Sequence, residues 1–146
     1  MPSTISWKSE FMSLSRRFGE RTAVVDVEGR TTYAELFARV AGVGRTVCEA
    51  GIAHGEPIAT LLPNGRCAVA ASLGVTLSGA AEARLNVALS ADDLLHCMTT
   101  ARVRTVITDA ARVGLVRSLG AEAIDVENIG PADLAGSDFP DVRTDS

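Results

Sequence analysis

Residues able to do acid–base, metal or nucleophilic chemistry are few and scattered in this 146-residue chain. The two histidines are His54 and His96. His54 sits in a loop between Gly51 and Gly55 and reads as a solvated loop residue. His96, between Leu95 and Cys97, reads as a helix-side residue rather than a ligand. The three cysteines, Cys48, Cys67 and Cys97, are odd in number and have no CxxC spacing. That argues against a disulfide framework or a zinc site and for a reducing, cytoplasmic setting. The paired carboxylates Asp92 and Asp93 directly follow Ser90-Ala91. They read as capping and dipole charges at a helix start rather than as an acid/base pair. Gly42-Val43-Gly44 resembles the opening of a dinucleotide loop, but Val47 stands where the third glycine belongs, and the stretch lies inside a helical pattern. Neither a Gly-x-Ser-x-Gly elbow nor a GxxxxGK[ST] loop occurs. No catalytic residue and no metal ligand is assigned.

The elements that would position any site centre on 57–86. An apolar run, Pro57 to Leu62, ends in Pro63-Asn64-Gly65. A helix of small residues and then a second short apolar segment follow, which is the β-α-β unit of a parallel sheet. No charge occurs from Cys67 to Ala81. A helix without a polar face is buried on more than one side. Gly74 and Gly79 lie within that run, where a missing side chain permits close approach.

Around this unit, Trp7, Phe11, Leu14 and Phe18 recur at helical spacing over 7–18. Ala23 to Val27 and Arg30-Thr31 flank a Glu28-Gly29 turn, as in a hairpin. Thr32 and Glu35 match a capping box. The helix they start carries Tyr33, Leu36, Phe37, Val40, Val43 and Val47 on one face and stops at Gly51. Ser90 caps a further helix that buries Leu94, Leu95 and Met98. Val103 to Thr108 reads as a strand, and Asp109 as the cap of a short helix ending at Gly120. Ala123 to Val126 reads as a last strand. From Asn128 onward Gly, Pro, Asp and Ser dominate, so residues 130–146 are expected to be a linker or disordered tail. The fold class is α/β, three-layer, with a mostly parallel sheet flanked by helices over 1–129.

Composition narrows the function classes. A formal net charge of -4 gives no nucleic-acid footprint. The uncharged run falls short of the ~20 residues of a membrane span. The N-terminus has no signal-peptide run. With 47% hydrophobic and 22% charged residues, the chain is globular rather than disordered.

Several stretches together resemble the adenylate-forming enzymes: acyl-CoA synthetases, adenylation domains of nonribosomal peptide synthetases, and luciferases. Thr32-Tyr33-Ala34-Glu35-Leu36 is similar to the family's first core motif. Gly55 to Asn64 is similar to its next strand and turn. Leu73 to Ala80, followed by Leu85-Asn86, is similar to its second core motif. Ser90 to Leu94 and Val106 to Asp109 follow in the same order. The resemblance covers roughly residues 7–128 and departs at Glu82-Ala83-Arg84 and at Val87, so it assigns neither an acyl nor an amino-acid substrate.

The resemblance implies the N-terminal subdomain of an acyl-CoA synthetase-like fold. The complete enzyme would use ATP, Mg and CoA. It would activate a carboxylic acid to an acyl-AMP and pass the acyl group to a thiol, CoA or a carrier protein. The family's phosphate-binding loop and catalytic lysine have no counterpart here, and Lys8 is the one lysine. The chain alone is therefore expected to be inactive and to bind none of these cofactors tightly. Its partner would be the remainder of the ligase in cis, or a complementing chain. Apolar surface left by that partner predicts self-association as a two-fold homodimer. Arg104 stands where some members place an arginine against a phosphate of the CoA nucleotide; the other reading is a solvated charge between helix and strand. The alternative function is a non-catalytic binding or assembly module on the same scaffold.

Overall fold

The computed structural model describes residues 4–136, 139–140 and 142–145, which form helices and strands. In chain order these are β1 (Thr4–Ser6), α1 (Trp7–Phe18), β2 (Thr22–Asp26), β3 (Gly29–Thr32) and α2 (Tyr33–Glu49). Next come β4 (Pro57–Leu61), α3 (Arg66–Ser78), β5 (Ala81–Leu85), α4 (Ala91–Ala101) and β6 (Thr105–Thr108). The chain continues through α5 (Val113–Ser118), β7 (Glu122–Asp125), a 3-10 turn (Val126–Asn128) and β8 (Arg143–Asp145).

The unit β4-α3-β5 forms as expected, its two strands parallel with Ala59 opposite Ala83. Strands β6 and β7 add in parallel on the other side, giving the order β5-β4-β6-β7. Alternation along the strands splits the core. Ile58 and Ile107 meet Val43 and Val47 of α2 and Ala71 and Val75 of α3 on one face. Ala59, Leu61 and Val106 meet Leu94 and Met98 of α4 and Val116 of α5 on the other. Helix, sheet, helix is the three-layer arrangement expected from the alternating pattern.

The capping box is present. Glu35 N–H donates to Thr32 Oγ1 at 3.2 Å, and Thr32 N–H donates to Glu35 Oε1 at 3.3 Å. Ser90 Oγ likewise accepts from Asp93 N–H at 3.2 Å. Helix α2 lies so close to α3 that a Cβ on Gly74 would stand 2.5 Å from Val43 Cβ. Gly42 is equally constrained, since a Cβ there would meet Gly130 O. The Gly-Val-Gly stretch thus serves close packing of α2 against α3 and the 129–130 loop.

Three expectations need correction. Leu95 is 43% exposed, because Leu94 and Met98, one turn apart, take the sheet-facing stripe of α4. Asp109 does not cap α5; its carboxylate accepts from the Arg112 main chain and guanidinium, and the helix starts one residue later. The described part of 130–146 is packed, unlike a linker or disordered tail. Ala132 N–H donates to Ala38 O at 3.0 Å, and Leu134 and Phe139 are buried with Phe11, Phe37 and Leu77. Beyond them β8 pairs antiparallel with β1. The few apolar side chains in a polar stretch suffice because α1, α2 and α3 leave a seam for them.

Candidate functional site

Strand order locates the place where a site can form. The chain leaves β4 toward β5 through α3, then crosses back to β6 on the far side, so the topology switches between β4 and β6. In open parallel sheets, ligands sit outside the carboxyl ends of the strands at that point. Here the carboxyl ends carry Leu62-Pro63-Asn64-Gly65 after β4, Asn86 after β5 and Asp109 after β6.

Two depressions flank the Pro63-Asn64 turn. The wider, about 430 Å³, lies toward β5 and includes Thr60, Asn64, Ser72, Arg84 and Asn86. Its floor is a polar relay. Thr60 Oγ1 donates to Glu82 Oε2 at 2.5 Å, Ser72 Oγ to the same oxygen at 2.9 Å, and Arg84 Nη2 to Ser72 Oγ at 2.6 Å. The narrower, about 140 Å³, lies between the β2-β3 turn and the start of α3, and Asp109 and Glu127 complete its rim.

The narrow depression is built on Asp26. Arg66 N–H and Nε–H donate to Asp26 Oδ2 at 2.9 and 3.0 Å, and Arg66 Nη2 donates to Oδ1 at 2.7 Å. Both side chains are nearly buried, 13% exposed for Arg66 and 11% for Asp26. Hydrogen bonds from the Arg66 side chain, then from its main chain, hold the Asp26 carboxyl far below the usual carboxylate range. Gly65 supplies no side-chain cap, so a carboxylate from the hairpin caps α3 instead. Cys67 follows at once, and burial pushes its thiol up, as it does that of Cys48, so both stay protonated and unreactive near neutrality.

The histidines and the acidic pair lie elsewhere. His54 and His96 are exposed, and Asp92 and Asp93 sit exposed in the first turn of α4. Although Asp92 and Asp93 precede His96 by one helical turn, no group of three or more His, Cys, Asp or Glu among the described residues is placed to hold a metal ion. Arg104 is exposed at the amino end of β6, the opposite end of the strands from both depressions, and its carbonyl accepts from Glu122 N–H at 2.9 Å. The structure therefore does not bring Arg104 together with the switch-point residues. The Asp26–Arg66 link was not legible, because nothing local connects residues 40 apart.

A family model for the AMP-binding enzyme matches residues 12–139. The chain belongs to the AMP-binding enzyme family. It corresponds to the N-terminal part of these adenylate-forming enzymes. Among curated relatives, the probable non-canonical nonribosomal peptide synthetase CymA of Salinispora arenicola is 26% identical over 132 residues, 90% of this chain and 2% of that protein. The 3-hydroxybenzoate--CoA/4-hydroxybenzoate--CoA ligase of Thauera aromatica is 30% identical over 109 residues, 75% of this chain and 21% of that ligase. Among solved structures, the nonribosomal peptide synthetase FmoA3 in its AMPPNP-bound form superposes with a TM-score of 0.82 at 22% identity, over 97% of this chain and 15% of that one. The chain thus spans about a fifth or less of these relatives.

Neither depression is lined by a lysine, and Arg84 is the exposed guanidinium beside the wider one. A developing phosphoryl charge needs an ammonium, a metal and main-chain donors aimed at it. The single lysine, Lys8, donates to Gly136 O at 2.9 Å and lines neither depression. The N-terminus of α3, a natural anion seat, already carries the Asp26 carboxylate, which repels a second anion.

Proposed function

We propose that this chain is the leading subdomain of an AMP-forming acid–thiol ligase. In this reading the complete enzyme uses ATP, Mg and CoA or a carrier protein. It makes an acyl-AMP and transfers the acyl group to the thiol. The remainder of the ligase, in cis or as a complementing chain, supplies the triphosphate site. The observation that carries this reading is the family match across 12–139 on a parallel sheet whose order switches between β4 and β6. A cytoplasmic setting accords with three free cysteines; no described helix is long and apolar enough to cross a membrane.

Carboxylate-dependent ATP–pyrophosphate exchange tests it. The chain alone should give no exchange with any acid in a broad panel, and adding the missing part of a ligase should restore it. Exchange by the purified chain by itself would overturn the reading.

Arg104 enters the same proposal as a contact to a phosphate of the CoA nucleotide, reached from the exposed amino end of β6. In the complete ligase, Arg104→Ala should weaken CoA binding about tenfold, the value of one charge-assisted contact. Equal affinities by calorimetry would show a solvated charge.

A further inference from the structure

One feature of the sheet is not used by the switch-point site: the outer edge of β5, which ends the four-stranded sheet. Ala81 N–H donates inward to Glu56 O at 2.9 Å. Main-chain groups alternate sides along a strand, so Ala83 and Leu85 also turn toward β4. Glu82 and Arg84 therefore aim their N–H and C=O groups away from the sheet. Both residues are exposed although the Glu82 side chain is only 20% so, which puts much of the Glu82 exposure on its main chain. An open row of donors and acceptors is a template for another strand, and β5 has neither proline nor lysine to blunt it.

We propose that this edge is a two-fold interface with a second copy of the chain, β5 pairing antiparallel with the partner's β5 about Ala83. The choice of partner follows from register and charge. With the axis at Ala83, Glu82 lies opposite the partner's Arg84, and Arg84 opposite the partner's Glu82. Both members of each pair face outward, so each pair exchanges two main-chain hydrogen bonds. Each pair also opposes unlike charges, which is favourable across strands. Moving the axis to Glu82 would oppose two carboxylates, and moving it to Arg84 two guanidiniums. The sequence Ala-Glu-Ala-Arg-Leu is thus self-complementary in one register. Thr60 and Ser72 hold the Glu82 carboxylate in place, and the Arg84 guanidinium, 69% exposed, keeps donors to spare beyond its bond to Ser72. A single copy can use this edge only on one side, so the assembly closes at two.

Sedimentation of the full chain from low to high micromolar concentration is the first measurement, with a dimer expected at the upper end. Arg84→Glu places carboxylates opposite one another twice and should raise the dimer Kd about tenfold or more. Arg84→Pro removes an outward donor and no bond to β4, so it should give a monomer with an unchanged far-ultraviolet circular dichroism spectrum. Ala83→Cys places thiols in a central pair whose Cα atoms are about 4.5 Å apart, within the reach of a disulfide. Mild oxidation should then cross-link Ala83→Cys into covalent dimers far beyond the wild-type background from Cys48, Cys67 and Cys97. A wild-type monomer at high micromolar concentration would overturn the proposal. So would a dimer that tolerates Arg84→Pro and does not cross-link at position 83. A monomer with slowly exchanging Glu82 and Arg84 amides would mean that a segment of the same chain covers the edge, which also overturns it.

Discussion

Asp26 shows how one side chain can join two elements and carry a pH dependence. Its carboxylate accepts from the Arg66 main chain and from two guanidinium nitrogens, tying the hairpin turn to the first turn of α3. Because Arg66 holds its folded-state pKa far below the unfolded value, the unfolded chain binds more protons in acid. The stability linked to Asp26 is therefore complete above about pH 4 and lost as pH falls through the folded value. Asp26→Asn should be less stable than wild type at neutral pH. It should also lose less stability between about pH 4 and pH 2. Thermal unfolding across a pH series reads both effects; parallel curves would mean that the pair contributes nothing.

Helix α3 packs as a nearly featureless cylinder, and its value lies in what it lacks. Gly74 lets α2 approach until Val43 and Val40 O occupy the space of a side chain. An alanine there would gain about 1 kcal/mol of helix propensity and lose about 1–3 kcal/mol to overpacking. Gly74→Ala should therefore lower the unfolding free energy by about 1 kcal/mol, seen as a lower urea midpoint with an unchanged slope. A raised midpoint would show that the helices can part at no cost. Ala70 and Ala71, also buried, are the small neighbours that make the same approach possible. The core is thus assembled from close backbones rather than large side chains, as a chain with 4% aromatic residues requires.

The molecule as a whole is closed by its last described segment. Leu134 and Phe139 are 7% and 6% exposed, and Phe139 lies against the α2–α3 crossing, 3.2 Å from where a Gly44 Cβ would stand. Trp7 N–H donates to Val142 O at 3.2 Å, so α1 meets the last described segment. Phe139→Ala should cost about 3 kcal/mol in chemical denaturation, the usual loss for a buried phenyl ring. An unpacked tail would lose nothing, which makes this substitution a direct measure of the segment. The proposed β5 edge lies on the sheet, and the closing strand β8 pairs with β1 outside it, so the two features can be tested independently.

Near neighbours in the sequence determined much of this protein. The capping pairs Thr32/Glu35 and Ser90/Asp93, the turns at Glu28-Gly29 and Pro63-Asn64, and the β-α-β unit at 57–86 depend on residues a few positions apart. Their periodicity survives in the linear chain, and the order of these segments carried the family. Tertiary structure alone decided which strand lies beside which, and hence where the switch point falls. It placed Asp26 on Arg66 and left Arg104 at the opposite end of the strands from the switch point. It also buried Leu134 and Phe139, which composition had assigned to a tail. The reason is physical: helix and turn formation read local sequence, whereas an ion pair or a seam between helices depends on where distant segments meet in space.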